Sequence, residues 1–316
     1  MGKIRKMKKI LPLLFGIIIL IVTIFYVGIE KIANIFSNAD IFYFFIAAIF
    51  YLIIEITAAL KLKLISKLKF KRIFLSNLGG MFLSQITPGR IGYAYTAYSI
   101  SKKEKKSISG MLGIISLIQG LMLFVKIFLI AIAIIFFSLK SEIPGFLLLS
   151  FITPVFLLFA ILFVLYTNSF KHFLLKIPSI CKLVEYVDLM QNSVKNINYK
   201  KAFFIIVLDL FIWCFYGFQF YFLAASIGIP LDFLTCLMLH PLISAIMYIP
   251  ISPSALGITE TGNEIIFGLL GLGIGTGVSF VLIFRLNSLF VDSFGLVDFK
   301  NIRINEIFKQ IKTKKI

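Results

Sequence analysis

The sequence predicts an all-α polytopic membrane protein with six spanning helices and two re-entrant helical hairpins arranged as an inverted-topology repeat. Three observations lead there. Apolar runs are long enough to cross a bilayer, Lys and Arg gather into separate basic stretches, and two proline-centred breaks share one residue pattern.

Of 316 residues, 60% are apolar and 16% aromatic, and mean hydropathy is +1.02. Such a chain has too few polar side chains to cover a water-soluble core, so lipid must solvate it. The runs 10–29, 41–60, 108–139, 143–165, 202–227 and 277–297 each lie near or above the roughly 20 residues that span hydrocarbon. The first follows Lys3, Arg5, Lys6, Lys8 and Lys9 without a small-residue cleavage pattern behind it, and reads as a retained anchor. A net charge of +18 would point to nucleic acid in a soluble protein, but here the lysines fall between apolar runs. No nucleic-acid partner is expected. Cys181, Cys214, Cys236, His172 and His240 have no metal-ligand spacing, so neither a metal nor a cofactor is expected.

Basic residues set the topology. Stretches 1–9, 61–72, 102–106, 168–201 and 298–316 hold 27 of the 32 Lys and Arg residues, which places all five on the cytoplasmic side, both termini included. Stretches 61–72 and 102–106 then share a side although apolar chain separates them, so 73–101 must enter the membrane and return, turning at Thr87-Pro88-Gly89. The same parity demands a second hairpin, 233–272, turning at Pro250-Ile251-Ser252-Pro253 and entering from the opposite side. The chain is thus one transmembrane domain over 1–316, with repeat 1 at about 41–139 and repeat 2 at about 202–297. Segment 178–199 alternates Ile180, Leu183, Val184, Val187 and Val194 with Lys182 and Lys195. It reads as an amphipathic helix on the anionic cytoplasmic surface of the cell membrane.

The two breaks align at a constant offset of 165 residues: Ile86-Thr87-Pro88-Gly89-Arg90-Ile91-Gly92 against Ile251-Ser252-Pro253-Ser254-Ala255-Leu256-Gly257. Thr87 and Ser252 suit an N-cap, and Pro88 and Pro253 suit the first helical position, so a half-helix is expected to start at each tip. Half-helix N-termini carry partial positive charge and unpaired N–H groups, which favours an anion. Facing broken helices are also the arrangement of many secondary transporters.

Arg90, Glu260 and Arg285 lie inside apolar segments, where an ionisable group costs about 2.5 to 3.5 kcal/mol or more unless paired or hydrated. Two readings stand for the pair Glu260 and Arg285: a site facing a headgroup, or a structural ion pair holding the second hairpin. Arg90 is read with the helix N-termini as a phosphate site. Lys126 and Glu55 are weaker candidates, for mutual pairing or for pointing to an interface, and Asp209 for stabilising the N-terminal end of its helix.

At Thr87-Pro88-Gly89-Arg90-Ile91-Gly92, at Pro250 to Glu260, and at Leu282-Ile283-Phe284-Arg285-Leu286, the sequence resembles the lysylphosphatidylglycerol synthase transmembrane, or flippase-like, family over roughly residues 8–300. The resemblance implies a role with envelope lipids. Where the family often carries Glu and Arg after the first motif, this chain has Tyr93 and Thr96. Where it often carries Glu-Arg and Asp in the next helix, this chain has Gln119-Gly120 and Leu123.

Together these readings predict a lipid flippase or transporter of a lipid-linked precursor, not an enzyme. A phosphate-bearing headgroup is expected between the broken helices at Thr87, Pro88, Gly89, Arg90, Gly92, Ser252, Pro253, Gly257, Glu260 and Arg285. The alternatives are a membrane-embedded lipid-phosphate transferase or hydrolase, and a non-transporting partner of an envelope enzyme.

Overall fold

The structure, a computed structural model, describes residues 28–87, 91–139, 145–176, 183–195, 197–248, 252 and 255–301, together with Ile18, Ile21, Val22, Ile24 and Phe25. Every regular element among the described residues is helical. Among the described residues, four helices are long and apolar enough to cross a membrane: α2 (Ile41–Ser66), α5 (Ile108–Ser138), α9 (Tyr199–Ser226), and α12 (Thr276–Asp292) with the 3-10 segment Ser293–Asn301 that continues it. These coincide with four of the six expected spans. The run 10–29 lies mostly outside the described residues, and 143–165 falls on α6 (Gly145–Tyr166), which carries Pro154 within it.

Short polar residues set the helix starts. Asp40 accepts from Phe42 N–H at 2.8 Å, Ser107 from Gly110 N–H at 2.9 Å, and Asn198 from Lys200 N–H at 3.1 Å, capping α2, α5 and α9. Asp232 does the same for α10 (Phe233–Ile246), accepting from Thr235 N–H at 2.8 Å. The start of α12 is capped from outside, where Glu264 of α11 (Ile258–Leu269) accepts from the N–H groups of Gly275 and Val278 at 2.6 and 3.1 Å.

Helices α2 and α9 form an antiparallel pair at the centre. Asp40 N–H donates to Ser226 C=O at 2.7 Å at one end, Phe50 stacks on Phe218 midway, and Lys61 meets Asp209 at the other. Two apolar clusters occupy the two ends of this pair. One gathers Ala59, Leu62 and Ile205 with Ile73, Ala97 and Ile100 from α3 (Phe70–Ile86) and α4 (Gly92–Glu104). The other gathers Ala47, Phe220 and Leu223 with Cys236, Leu239, Ile266 and Phe267 from α10 and α11. The pair α3–α4 therefore serves one end of the bundle, and α10–α11 serves the other.

Helix α3 and helix α4 cross at van der Waals range. A Cβ built on Gly92 would lie 1.7 Å from Gly80 C=O, so only glycine fits that crossing. Their outer ends meet where Arg72 donates to Glu104 at 2.9 Å, which brings basic stretches 61–72 and 102–106 to the same end. The chain's last described segment joins them there: Lys103 pairs with Asp298, to which Tyr95 and Ser99 also donate at 2.9 and 2.6 Å.

Short α1 (Ile29–Ser37) packs on α12 through Ile32 and Val278. Helices α7 (Ser169–Leu175) and α8 (Leu183–Lys195) cover the outside of α5 and α6. Val187 and Val194 of α8 are buried, and Gln191 donates to the carbonyls of Val164 and Thr167 at 2.9 and 3.0 Å. The amphipathic segment expected at 178–199 is thus helical over its described part, with its apolar face on α5 and α6.

Candidate functional site

A cavity with about 1540 Å³ of empty space, its open mouth included, lies between the α3–α4 pair and α10. One wall comes from α3 and α4, which turn Asn77, Met81, Ser84, Gln85, Tyr93 and Thr96 toward it. The facing wall comes from α10 through His240, Pro241, Ser244 and Met247. The sides are α2, α5, α9 and α12.

The sides carry the charge. Lys61, Lys126 and Arg285 line the cavity, as do Glu55 and Asp209. Lys61 donates to Asp209 Oδ1 at 2.5 Å with both side chains almost wholly buried, at 3% and 2% exposure. Asp209 is ten residues into α9, so it serves this ion pair and not the helix start expected from sequence. Glu55 accepts from Asn77 Nδ2 at 2.7 Å, and the Lys126 ammonium lies 5.3 Å from the centre of the Tyr248 ring. Among the described residues, Asp209 Oδ2 and His240 Nδ1 are buried without a hydrogen-bond partner, although both residues line the cavity.

The expected site residues separate into groups. Pro88, Gly89, Arg90 and Pro253 lie outside the described residues. Thr87 closes α3 instead of capping the following helix, and its hydroxyl donates back to Leu83 C=O at 2.5 Å. Ser252 donates to Leu256 C=O at 2.7 Å, and α11 starts later, at Ile258 behind Gly257. Both hydroxyls satisfy a nearby carbonyl, so neither fills the expected N-cap role.

The cap of α11 falls to Glu260. Its Oε2 accepts from Gly257 N–H at 2.7 Å and its Oε1 accepts from Arg285 Nε at 2.7 Å, with the carboxylate fully buried. Gly257 stands at φ 83°, a left-handed conformation that glycine adopts without a Cβ clash. The pairing thus ties α11 to α12, and of its two members Arg285 reaches the cavity wall. Gly92 belongs to the α3–α4 crossing described above.

Sequence reasoning missed Lys61, Asp292 and the cavity-facing amides. Asp292, fully buried, accepts from Tyr51 at 3.2 Å and from Gln85 at 2.6 Å. Asn77 and Gln85 stand eight residues apart on one face of α3, and each donates to a carboxylate on a different helix.

Comparison with known proteins places this arrangement. The family model described as the lysylphosphatidylglycerol synthase TM region matches residues 10–294. The chain belongs to this family. A UPF0104 membrane protein of Methanocaldococcus jannaschii is 27% identical over 241 residues, which cover 74% of this chain and 100% of that protein. No solved structure matches the chain significantly. Tyr93, Thr96 and Gln119 lie on the cavity wall. In this member, therefore, the wall is neutral at those three positions, and its cations are Lys61, Lys126 and Arg285.

Proposed function

We propose that this protein translocates a lipid, or a lipid-linked precursor, whose phosphate-bearing headgroup passes through the cavity between α3–α4 and α10. The observation that carries the reading is a partly charged cavity lined by α3 and α4 on one side and by α10 on another, helices that serve opposite ends of one bundle. Each half of the chain runs long helix, two shorter helices, then a further long helix, which supports two re-entrant hairpins in an inverted repeat. Membership of a lipid-related membrane family supports the substrate class.

In this reading six helices span the cell membrane, both termini are cytoplasmic, and the basic stretches with the polar face of α8 lie on the anionic lipid surface. Lys61, Lys126 and Arg285 supply positive potential for the phosphate, with Arg90 joining them at the first turn. The driving force is a gradient, a coupled ion or the lipid's own asymmetry, since the chain has no phosphate-binding Gly-x-x-x-x-Gly-Lys run.

Purified protein in unilamellar vesicles, carrying fluorescent phosphatidylglycerol or fluorescent diacylglycerol, tests this directly. Reduction by external dithionite should reach inner-leaflet phosphatidylglycerol faster than in empty vesicles, while diacylglycerol, which lacks phosphate, keeps its protein-free rate. Protein-independent rates across a panel of phospholipids and lipid-linked phosphates would sink the transport reading. Release of free headgroup would favour the hydrolase alternative.

A further inference from the structure

A lipid in passage has to keep its acyl chains in hydrocarbon while its headgroup occupies water, because moving each methylene into a wet space is unfavourable. The wall between cavity and bilayer must therefore have a place where the two are joined. Arg285 lies on the wall of the cavity and also on that of a shallow outer groove with about 630 Å³ of empty space, shared with Phe36, Leu282 and Leu286. Leu282, Arg285 and Leu286 fall on one face of α12 at helical spacing, and Phe36 closes the groove from α1. Beside the groove, α1 is held to α12 through Ile32 and Val278.

The groove is apolar except at Arg285. Its outer rim, Leu286, is 54% exposed on a helix long enough to span a membrane, so the groove opens on lipid. At the inner end the guanidinium is held by its Nε–H on Glu260 Oε1, which fixes the plane of a group whose geometry suits phosphate oxygens. An apolar trough ending at a fixed cation matches the two halves of an anionic lipid. We propose that the Phe36–Leu282–Leu286 groove is a lateral portal that seats an acyl chain while the attached phosphate reaches the cavity past Arg285. The inference rests on the transport reading above and adds the route between bilayer and cavity.

The test uses the full chain in phosphatidylcholine nanodiscs with phosphatidylglycerol carrying a photoreactive diazirine at the acyl tail, and the same tail on diacylglycerol. After irradiation, peptide mass spectrometry should find phosphatidylglycerol adducts at Phe36, Leu282 or Leu286 several-fold above those at Phe156 and Phe159. The latter two, exposed on α6, report ordinary surrounding lipid. The diacylglycerol probe should label both places equally. Equal labelling by both probes, or a groove cross-linked to the chain's own residues 10–27, overturns the portal.

A second variant, Leu286→Trp, fills the groove from an exposed position. It should lower phosphatidylglycerol translocation at least tenfold with unchanged thermal unfolding. Full translocation by that variant overturns the portal and leaves the transport reading standing. Phosphate-dependent labelling of the groove in a wild-type protein that moves no lipid upholds the portal and sinks transport, so the two failures are distinct.

Discussion

Replacing Lys61 with Met removes the ammonium 2.5 Å from Asp209 Oδ1 and strands a carboxylate whose side chain is 2% exposed. Breaking one side of a buried ion pair costs about 3 to 5 kcal/mol, whereas replacing both sides by apolar groups of similar volume is near neutral or stabilising by up to about 4 kcal/mol. Asp209 Oδ2 has no hydrogen-bond partner among the described residues, so the carboxylate leans on Lys61 for its compensation. The expected loss for Lys61→Met is accordingly about 4 kcal/mol, in the middle of that range. Asp209→Leu alone should cost a comparable amount by stranding the ammonium. The double variant Lys61→Met/Asp209→Leu should recover most of both losses, a coupling of at least about 3 kcal/mol. Reversible unfolding by SDS titration in mixed micelles, followed by helical circular dichroism, measures all four proteins. Penalties that add to within about 0.5 kcal/mol would refute the buried pair and return Lys61 to the surface.

Two further perturbations follow from named contacts. Gly92→Ala places a Cβ 1.7 Å from Gly80 C=O and should abolish folded yield. Gly268→Ala, in α11 with nothing within 4 Å of the new Cβ, should be neutral or stabilise by about 1 kcal/mol; detergent-solubilised monodisperse yield and unfolding midpoints check the contrast. Glu260→Gln leaves one acceptor oxygen for two donors, Gly257 N–H and Arg285 Nε–H, and should cost about 2 to 4 kcal/mol in the same SDS titration. A Glu260→Gln protein with wild-type stability would show that the pair does not hold α11 to α12.

Much of the architecture was legible because its causes are local. Apolar runs and basic stretches each lie within a few residues of what they determine, so α2, α5, α9 and α12 followed from them. The Glu260–Arg285 pair was also among the readings, since an acid and a base in successive apolar segments have few other partners there. Lys61 was not found because it begins a basic stretch directly after Leu60, and hydropathy alone ends the helix at that point. In fact α2 runs on to Ser66. Tyr51, Glu55, Ala58 and Leu62, spaced by four, three and four residues, already outline its cavity face, and Lys61 borders it.

Thr87 and Ser252 illustrate a different failure. Both residue types suit an N-cap, but the same hydroxyl can donate to a carbonyl four residues away, and sequence does not say which wins. Asp292 and Gln85, 207 residues apart, required the tertiary fold to be seen together.

The account turns on the cavity holding a phosphate-bearing headgroup, and the direct measurement is mass spectrometry of the lipids retained after gentle extraction by wild type and by Ala58→Trp. Ala58 lies on the cavity wall of α2, so the indole occupies headgroup space. The account predicts one phosphate-bearing lipid class enriched over bulk membrane in wild type and lost from Ala58→Trp at unchanged stability. The same bulk lipid profile in both proteins would contradict it.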